Sequence, residues 1–192
     1  MQIRLLALSG SSRQGSVNMQ LLDAATAAAR ELGAEVTYLD LRALALPIYD
    51  GDLEATDGLP EGCIALKKAL ASHHALLIAS PEYNGFFSPL LKNAIDWASR
   101  PQAGQPSPFS GRVAALLAAS PGALGGIRGL PAIRQLLCNL GILVTPGQMA
   151  LPGALKAFAT DGKLADQAQQ QMLERVIGEL LTTTRALQQR TD

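Results

Sequence analysis

The chain has 192 residues, room for one domain with a sizeable core and short of the usual length for two. Apolar residues make up 48% and charged residues 17%, and 16 Lys plus Arg balance 16 Asp plus Glu, so composition offers no basic surface for nucleic acid or an anionic membrane. The two cysteines, Cys63 and Cys138, form neither a disulfide framework nor a Cys-x-x-Cys motif, and both are expected to be small buried hydrophobes.

The opening "MQIRLLALSG" has too short an apolar run for a signal peptide, and no stretch reads as a membrane span, so a cytoplasmic protein is expected. Residues 2–8, "QIRLLAL", read as a buried strand. From Ser16, the residues Leu21, Leu22, Ala25, Ala28, Ala29 and Leu32 recur at helical spacing until Gly33. "AEVTYLDL" is a second strand, followed by an irregular stretch, "ALALPIYDGDLEATDGLP", with no period. Leu59, Cys63, Leu66 and Leu70 mark a helix ending near Ser72.

"ALLIAS", residues 75–80, is continuous and apolar, as a strand covered on both faces should be. A helix then starts with Ser88 as N-cap and Pro89 at its first position. "RVAALLAAS" is a fourth strand, a helix from Pro131 closes at Gly141, "ILVT" is a fifth strand, and Met172 to Leu181 line a last helix. Strands alternating with amphipathic helices predict an open parallel sheet with helices on both faces, in one domain spanning 1–192. "RPQAGQPSPFSG", residues 100–111, is read as a surface loop.

In such a sheet a ligand sits beyond the carboxyl ends of the strands, where strand order reverses. The loops there are residues 9–18, 80–88 and 120–130, which are also the most unusual stretches of the sequence. The first, "SGSSRQGSVN", joins a strand to a helix N-terminus, where unpaired N–H groups and the helix dipole favour an anion. Ser11, Ser16 and Asn18 add donors and Arg13 a permanent charge, a combination suited to a monophosphate; a plain Gly/Ser turn capped by Ser16 is the other reading. The stretch lacks Gly-x-Gly-x-x-Gly and has Ser16 and Val17 where a nucleotide-triphosphate loop requires Lys and Ser/Thr. The second loop, "SPEYNGFFSPLLKNAIDW", concentrates Tyr83, Phe86 and Phe87 in a chain that is 4% aromatic. Either these rings cap the core, or donors from Glu82, Tyr83 and Asn84 reach the edge of a flat ring. The third, "SPGALGGIRG", is glycine-rich and lets backbone approach a ligand.

In these stretches the chain resembles the NADPH-dependent FMN reductase family, a flavodoxin-like group that includes quinone, chromate and azo-dye reductases. The resemblance rests on "GSSRQGSVN", "PEYNGFFSPLLKNAIDW" and "SPGALGGIRG" and covers nearly the whole chain. It implies a five-stranded parallel sheet of order 2-1-3-4-5 and FMN as cofactor, with NADPH or NADH as hydride donor. It implies that Ser11, Arg13, Ser16, Val17 and Asn18 hold the FMN phosphate. Pro81, Glu82, Tyr83, Asn84 and Gly85 would border the isoalloxazine, with Ser120 and Gly122 on its other side. It further implies ping-pong transfer of two electrons to a small acceptor, no catalytic side chain, no metal, and a homodimer or homotetramer.

Two rival readings remain open. A flavodoxin-type electron carrier is opposed by the neutral charge and Arg13, and a non-catalytic flavin-binding module by the intact loops. His73 and His74 lie at the wrong end of the sheet for the flavin. Asp50, Asp52, Glu54 and Glu61 have calcium-loop spacing, but Ala55 stands where glycine is needed. Arg128 is left between binding the phosphates of the nicotinamide dinucleotide and making a subunit contact.

Overall fold

Arg4–Ser9 (β1), Glu35–Leu39 (β2), Ala75–Ala79 (β3), Val113–Ala119 (β6) and Leu143–Leu151 (β7) form one parallel sheet in the order β2-β1-β3-β6-β7. The computed structural model describes residues 1–189. Two further strands, Glu82–Tyr83 (β4) and Phe86–Phe87 (β5), pair only with each other as an antiparallel hairpin. Leaving that hairpin aside, the order is the expected 2-1-3-4-5, the doubly wound arrangement of flavodoxin-like domains.

The central strands β1, β3 and β6 are buried almost throughout, and their alternation sorts side chains onto two faces. Leu5, Ala7, Leu77 and Leu117 join one core with helices Val17–Glu31 (α1) and Gln167–Gln188 (α6). Leu6, Leu8, Leu76 and Leu116 join the other, against Glu61–Ser72 (α3), Pro89–Ala98 (α4) and Gly129–Asn139 (α5). Fully burying a leucine contributes about 1.5–3 kcal/mol, so these two layers hold the strand ends in place.

Besides the β4–β5 hairpin, three features differ from expectation. The stretch read as irregular contains a short helix, Gly51–Asp57 (α2), capped by the Asp50 carboxylate accepting from the Asp52 and Leu53 N–H groups. None of its residues is buried, so it has no apolar stripe to betray it. The fifth strand does not stop at Thr145. It bulges at Pro146-Gly147, with a register shift opposite Ala114 to Leu116, and resumes to Leu151. Proline is tolerated because β7 is an edge strand. Finally, Cys63 is buried as expected but Cys138 is exposed, because it falls off the apolar face of α5.

The segment before α2 is tied down on α4. Trp97, fully buried, donates its indole N–H to the Pro47 carbonyl at 2.8 Å, and the Tyr49 N–H donates to Asn93 Oδ1 at 2.8 Å. Helix α4 starts as the sequence predicts: Ser88 caps it, accepting from the Leu91 N–H, with Pro89 first in the helix. Its Lys92–Asp96 pair, at 2.6 Å, lies on the surface.

Candidate functional site

The strand order brings the three loops to one rim, and specific contacts join them in pairs. Gly10 donates its N–H to the Ala79 carbonyl at 2.8 Å, joining the ends of β1 and β3. A Cβ at Gly10 would lie 2.8 Å from the hydroxyls of both Ser80 and Ser88, so a side chain there would have to displace them where the first and second loops meet. Asn18 joins the first loop to the third: its Nδ2 donates to the Ala119 carbonyl and its Oδ1 accepts the Ala119 N–H, both at 2.9 Å. Glu82 and Arg128 join the second loop to the third.

The first loop turns into α1 at Gly15, whose φ of 66° is left-handed. Ser16 is the buried N-cap, and its hydroxyl oxygen accepts from the N–H groups of Asn18 and Met19. Ser11 accepts the Arg13 N–H at 3.3 Å. Among the described residues, the N–H groups of Ser12, Gln14, Gly15, Ser16 and Val17 donate to no protein acceptor. The first turn of α1 carries no acidic residue. Arg13 is exposed with its guanidinium unpaired, and Arg42 donates to the Ser12 carbonyl at 3.1 Å, placing a second guanidinium beside the loop. Five free N–H groups, a helix N-terminus and nearby positive charge together fit a phosphate.

Asn18 and Val17 sit differently from the other donors. Both polar atoms of the buried Asn18 amide are engaged with Ala119, so its side chain braces the rim. Val17 packs its side chain against the core, leaving its N–H as its contribution.

The second loop is a hairpin whose turn, Asn84-Gly85, has φ of 54° and 79°, the two left-handed residues a type I′ turn requires. Asn-Gly between aromatic residues is a strong hairpin signal, the one feature of the sequence that announces this turn. The turn leaves Tyr83 and Phe86 about half exposed while Phe87 is buried, so the loop's rings divide between surface and core. Behind it, the Ser80 hydroxyl donates to the Pro81 carbonyl and accepts the Ser88 N–H.

Glu82 is the charged residue of this loop. Its ion pair with Arg128, helped by the backbone N–H groups of Arg128 and Gly129, holds its carboxyl below the usual carboxylate range. In the third loop, the Ser120 N–H donates to the Leu151 carbonyl, and the Gly122 carbonyl accepts from Gly125 and Gly153. The sterically constrained glycines are Gly125 and Gly126, with φ of 62° and 85°. A Cβ at Gly125 would lie 2.7 Å from the Leu151 carbonyl carbon, whereas one at Gly122 would meet only ordinary contacts.

His73 and His74 lie at the opposite end of the sheet, where the Arg4 N–H donates to His74 Nδ1 at 3.1 Å. Among the described residues no group of three or more His, Cys, Asp or Glu side chains is arranged to hold a metal ion.

A flavodoxin-like sheet with a phosphate-type cradle after β1 and aromatic surface after β3 defines a class of flavin-binding α/β proteins. Within that class, the chain belongs to the NADPH-dependent FMN reductase family, whose match covers residues 3–156. It is 34% identical over 186 residues to an NAD(P)H-dependent FMN reductase of Pseudomonas aeruginosa, covering 96% of this chain and 97% of that one. It is 33% identical over 191 residues to the NADPH:quinone oxidoreductase of Arabidopsis thaliana, covering 97% and 94%. The structure of FerB, a flavoenzyme NAD(P)H:(acceptor) oxidoreductase from Paracoccus denitrificans, matches with a TM-score of 0.83 and 27% identity over 96% of this chain and 98% of that one.

Proposed function

We propose that this protein is an FMN-dependent NAD(P)H oxidoreductase that passes two electrons to quinones, free flavin or similar small acceptors. The observation that carries this reading is the joining of three unlike loops at one rim: unpaired N–H groups with Arg13, an aromatic hairpin, and a glycine-rich turn. Ser11, Arg13, Ser16 and the N–H groups from Ser12 to Val17 would hold the FMN phosphate, with Asn18 bracing them from behind. Pro81, Glu82, Tyr83, Asn84 and Gly85 would border the ring on one side and Ser120 and Gly122 on the other. FMN supplies hydride and two-electron chemistry when bound, so the protein's part is to bind, orient and exclude water.

Within the three loops the one carboxyl group is Glu82, held ionised by Arg128, and protons would come from water. Donor and acceptor would use the same exposed face in turn, which gives ping-pong kinetics. The half-exposed Tyr83 and Phe86 line the approach to that face.

A cytoplasmic location is part of the same reading. Among the described residues no helix is long and apolar enough to cross a membrane. The exposed apolar residues Ile48, Phe86, Leu124 and Ile127 support a homo-oligomer. So does a groove of about 410 Å³ lined by Ile48, Tyr49, Pro89 and Leu90.

The test is a visible spectrum of FMN-reconstituted protein, recorded anaerobically before and after NADPH. Rapid bleaching of bound flavin is expected. Bound flavin that stays yellow points to an electron carrier, and absence of bound flavin overturns the cofactor assignment.

A further inference from the structure

The Glu82 carboxylate is only 7% exposed although it stands at the start of a surface hairpin. Its Oε1 accepts from Arg128 Nε at 2.6 Å and pairs with Nη2 at 2.5 Å, while Oε2 accepts the Arg128 backbone N–H at 3.0 Å. Arg128 is the N-cap residue of α5 and provides no side-chain cap, so a carboxylate 46 residues earlier in the chain takes that role. One side chain thus fixes three things: the base of the hairpin, the end of the third loop and the first turn of α5.

The neighbouring packing leaves little slack. A Cβ at Gly126 would lie 3.0 Å from the Ala118 Cβ and 3.7 Å from the Glu82 Cβ. One at Gly129 would lie 3.4 Å from the Phe86 carbonyl oxygen. Hairpin and third loop are therefore close neighbours, joined by the ion pair. Nε and Nη2 of Arg128 are both committed to Glu82, although the Arg128 side chain is 62% exposed.

We propose that Arg128 is a positioning residue: by holding Glu82 it sets the separation of hairpin Glu82–Phe87 from loop 120–128, and with it the fit of the flavin ring between them. The proposal rests on the assignment of FMN to this rim. It assigns Glu82 to the site through its backbone, its carboxylate being spent on the clamp.

The test is titration of apo protein with FMN, oxidised and reduced, for wild type, Arg128→Ala, Arg128→Lys, Glu82→Gln and the Arg128→Ala/Glu82→Gln double variant. The melting temperature of each apo protein is read alongside. Arg128→Ala is expected to bind oxidised FMN about tenfold more weakly, the scale on which groups supporting a ligand shell act. The ratio of the two dissociation constants, which is the thermodynamic equivalent of the flavin potential, is expected to move with it. Lysine restores the charge without the two-pronged geometry, so Arg128→Lys recovers only part of the loss. The double variant is expected to be no worse than Arg128→Ala, because the two side chains act as one unit. If Arg128→Ala does not fold, the comparison of Arg128→Lys with wild type decides. Folded variants that bind both forms of FMN like wild type overturn the proposal. A change confined to the KM for NADPH also overturns it, in favour of a substrate contact. Wild-type protein that binds no FMN overturns the functional reading, and the proposal falls with it.

Discussion

Arg13 shows how much a single side chain in the first loop is asked to do. It is exposed, cationic, and has no partner among the described residues. A hydrogen bond to a charged group contributes about 1.5–3 kcal/mol, and about 1.4 kcal/mol is a factor of ten in affinity. Arg13→Ala is therefore expected to weaken FMN binding at least tenfold, measured by quenching of flavin fluorescence, with little change in the melting temperature of the apo protein. An unchanged dissociation constant removes the phosphate from this loop. At this scale residue types were legible in the sequence and their partners were not. Asn18 reads as a donor in a loop of donors, but its amide is engaged with a backbone 101 residues away. Glu82 reads as a ring contact, but its carboxylate caps a distant helix. Each depends on which strands become neighbours, and neither loop encodes that alone.

At the scale of elements, the continuous apolar strands and the stripes of α1, α4 and α6 were legible because burial demands them. Helix α2 was not, having no buried face. The far end of the sheet carries a consequence of its own. Arg4 Nε donates to the Ser72 carbonyl, and Arg112 donates to the carbonyls of Leu70 and Ala71, so two guanidinium groups close the C-terminus of α3. His74 sits among them, accepting the Arg4 N–H with a neutral ring nitrogen. Burial lowers its pKa below the ordinary imidazole value of 6.5, and the charges of Arg4, Arg112 and His73 lower it further. The unfolded chain then binds a proton that the folded chain resists. This contribution to stability is intact above about pH 6.5 and is lost progressively as pH falls through the lowered folded value. Urea unfolding of the apo protein is expected to show a midpoint that drops on acidification below about pH 6.5. The drop should shrink in His74→Gln; an identical drop in both proteins would place the acid sensitivity elsewhere.

At the scale of the whole molecule, apolar surface is left on the side of the rim. Ile48 is 87% exposed beside the groove formed with Tyr49, Pro89 and Leu90. A second copy of the chain covering this side is the expected occupant, and sedimentation at micromolar concentration should return at least twice the 20.1 kDa chain mass. Ile48→Glu is expected to shift the population toward monomer; a monomeric wild type would sink this reading.

The bond between Asn18 and Ala119 also bears on how the protein is made. The phosphate loop is complete early in synthesis, yet its brace is a strand more than a hundred residues downstream. On the proposed site, a nascent or partly folded chain lacks the finished cradle, and FMN would bind complete molecules in preference to incomplete ones. Ligand that binds only the folded state stabilises it by about 2.7 kcal/mol at a hundredfold excess over its dissociation constant. Abundance of the protein in a cell would then follow the supply of flavin, with unliganded copies the first to be lost to proteolysis.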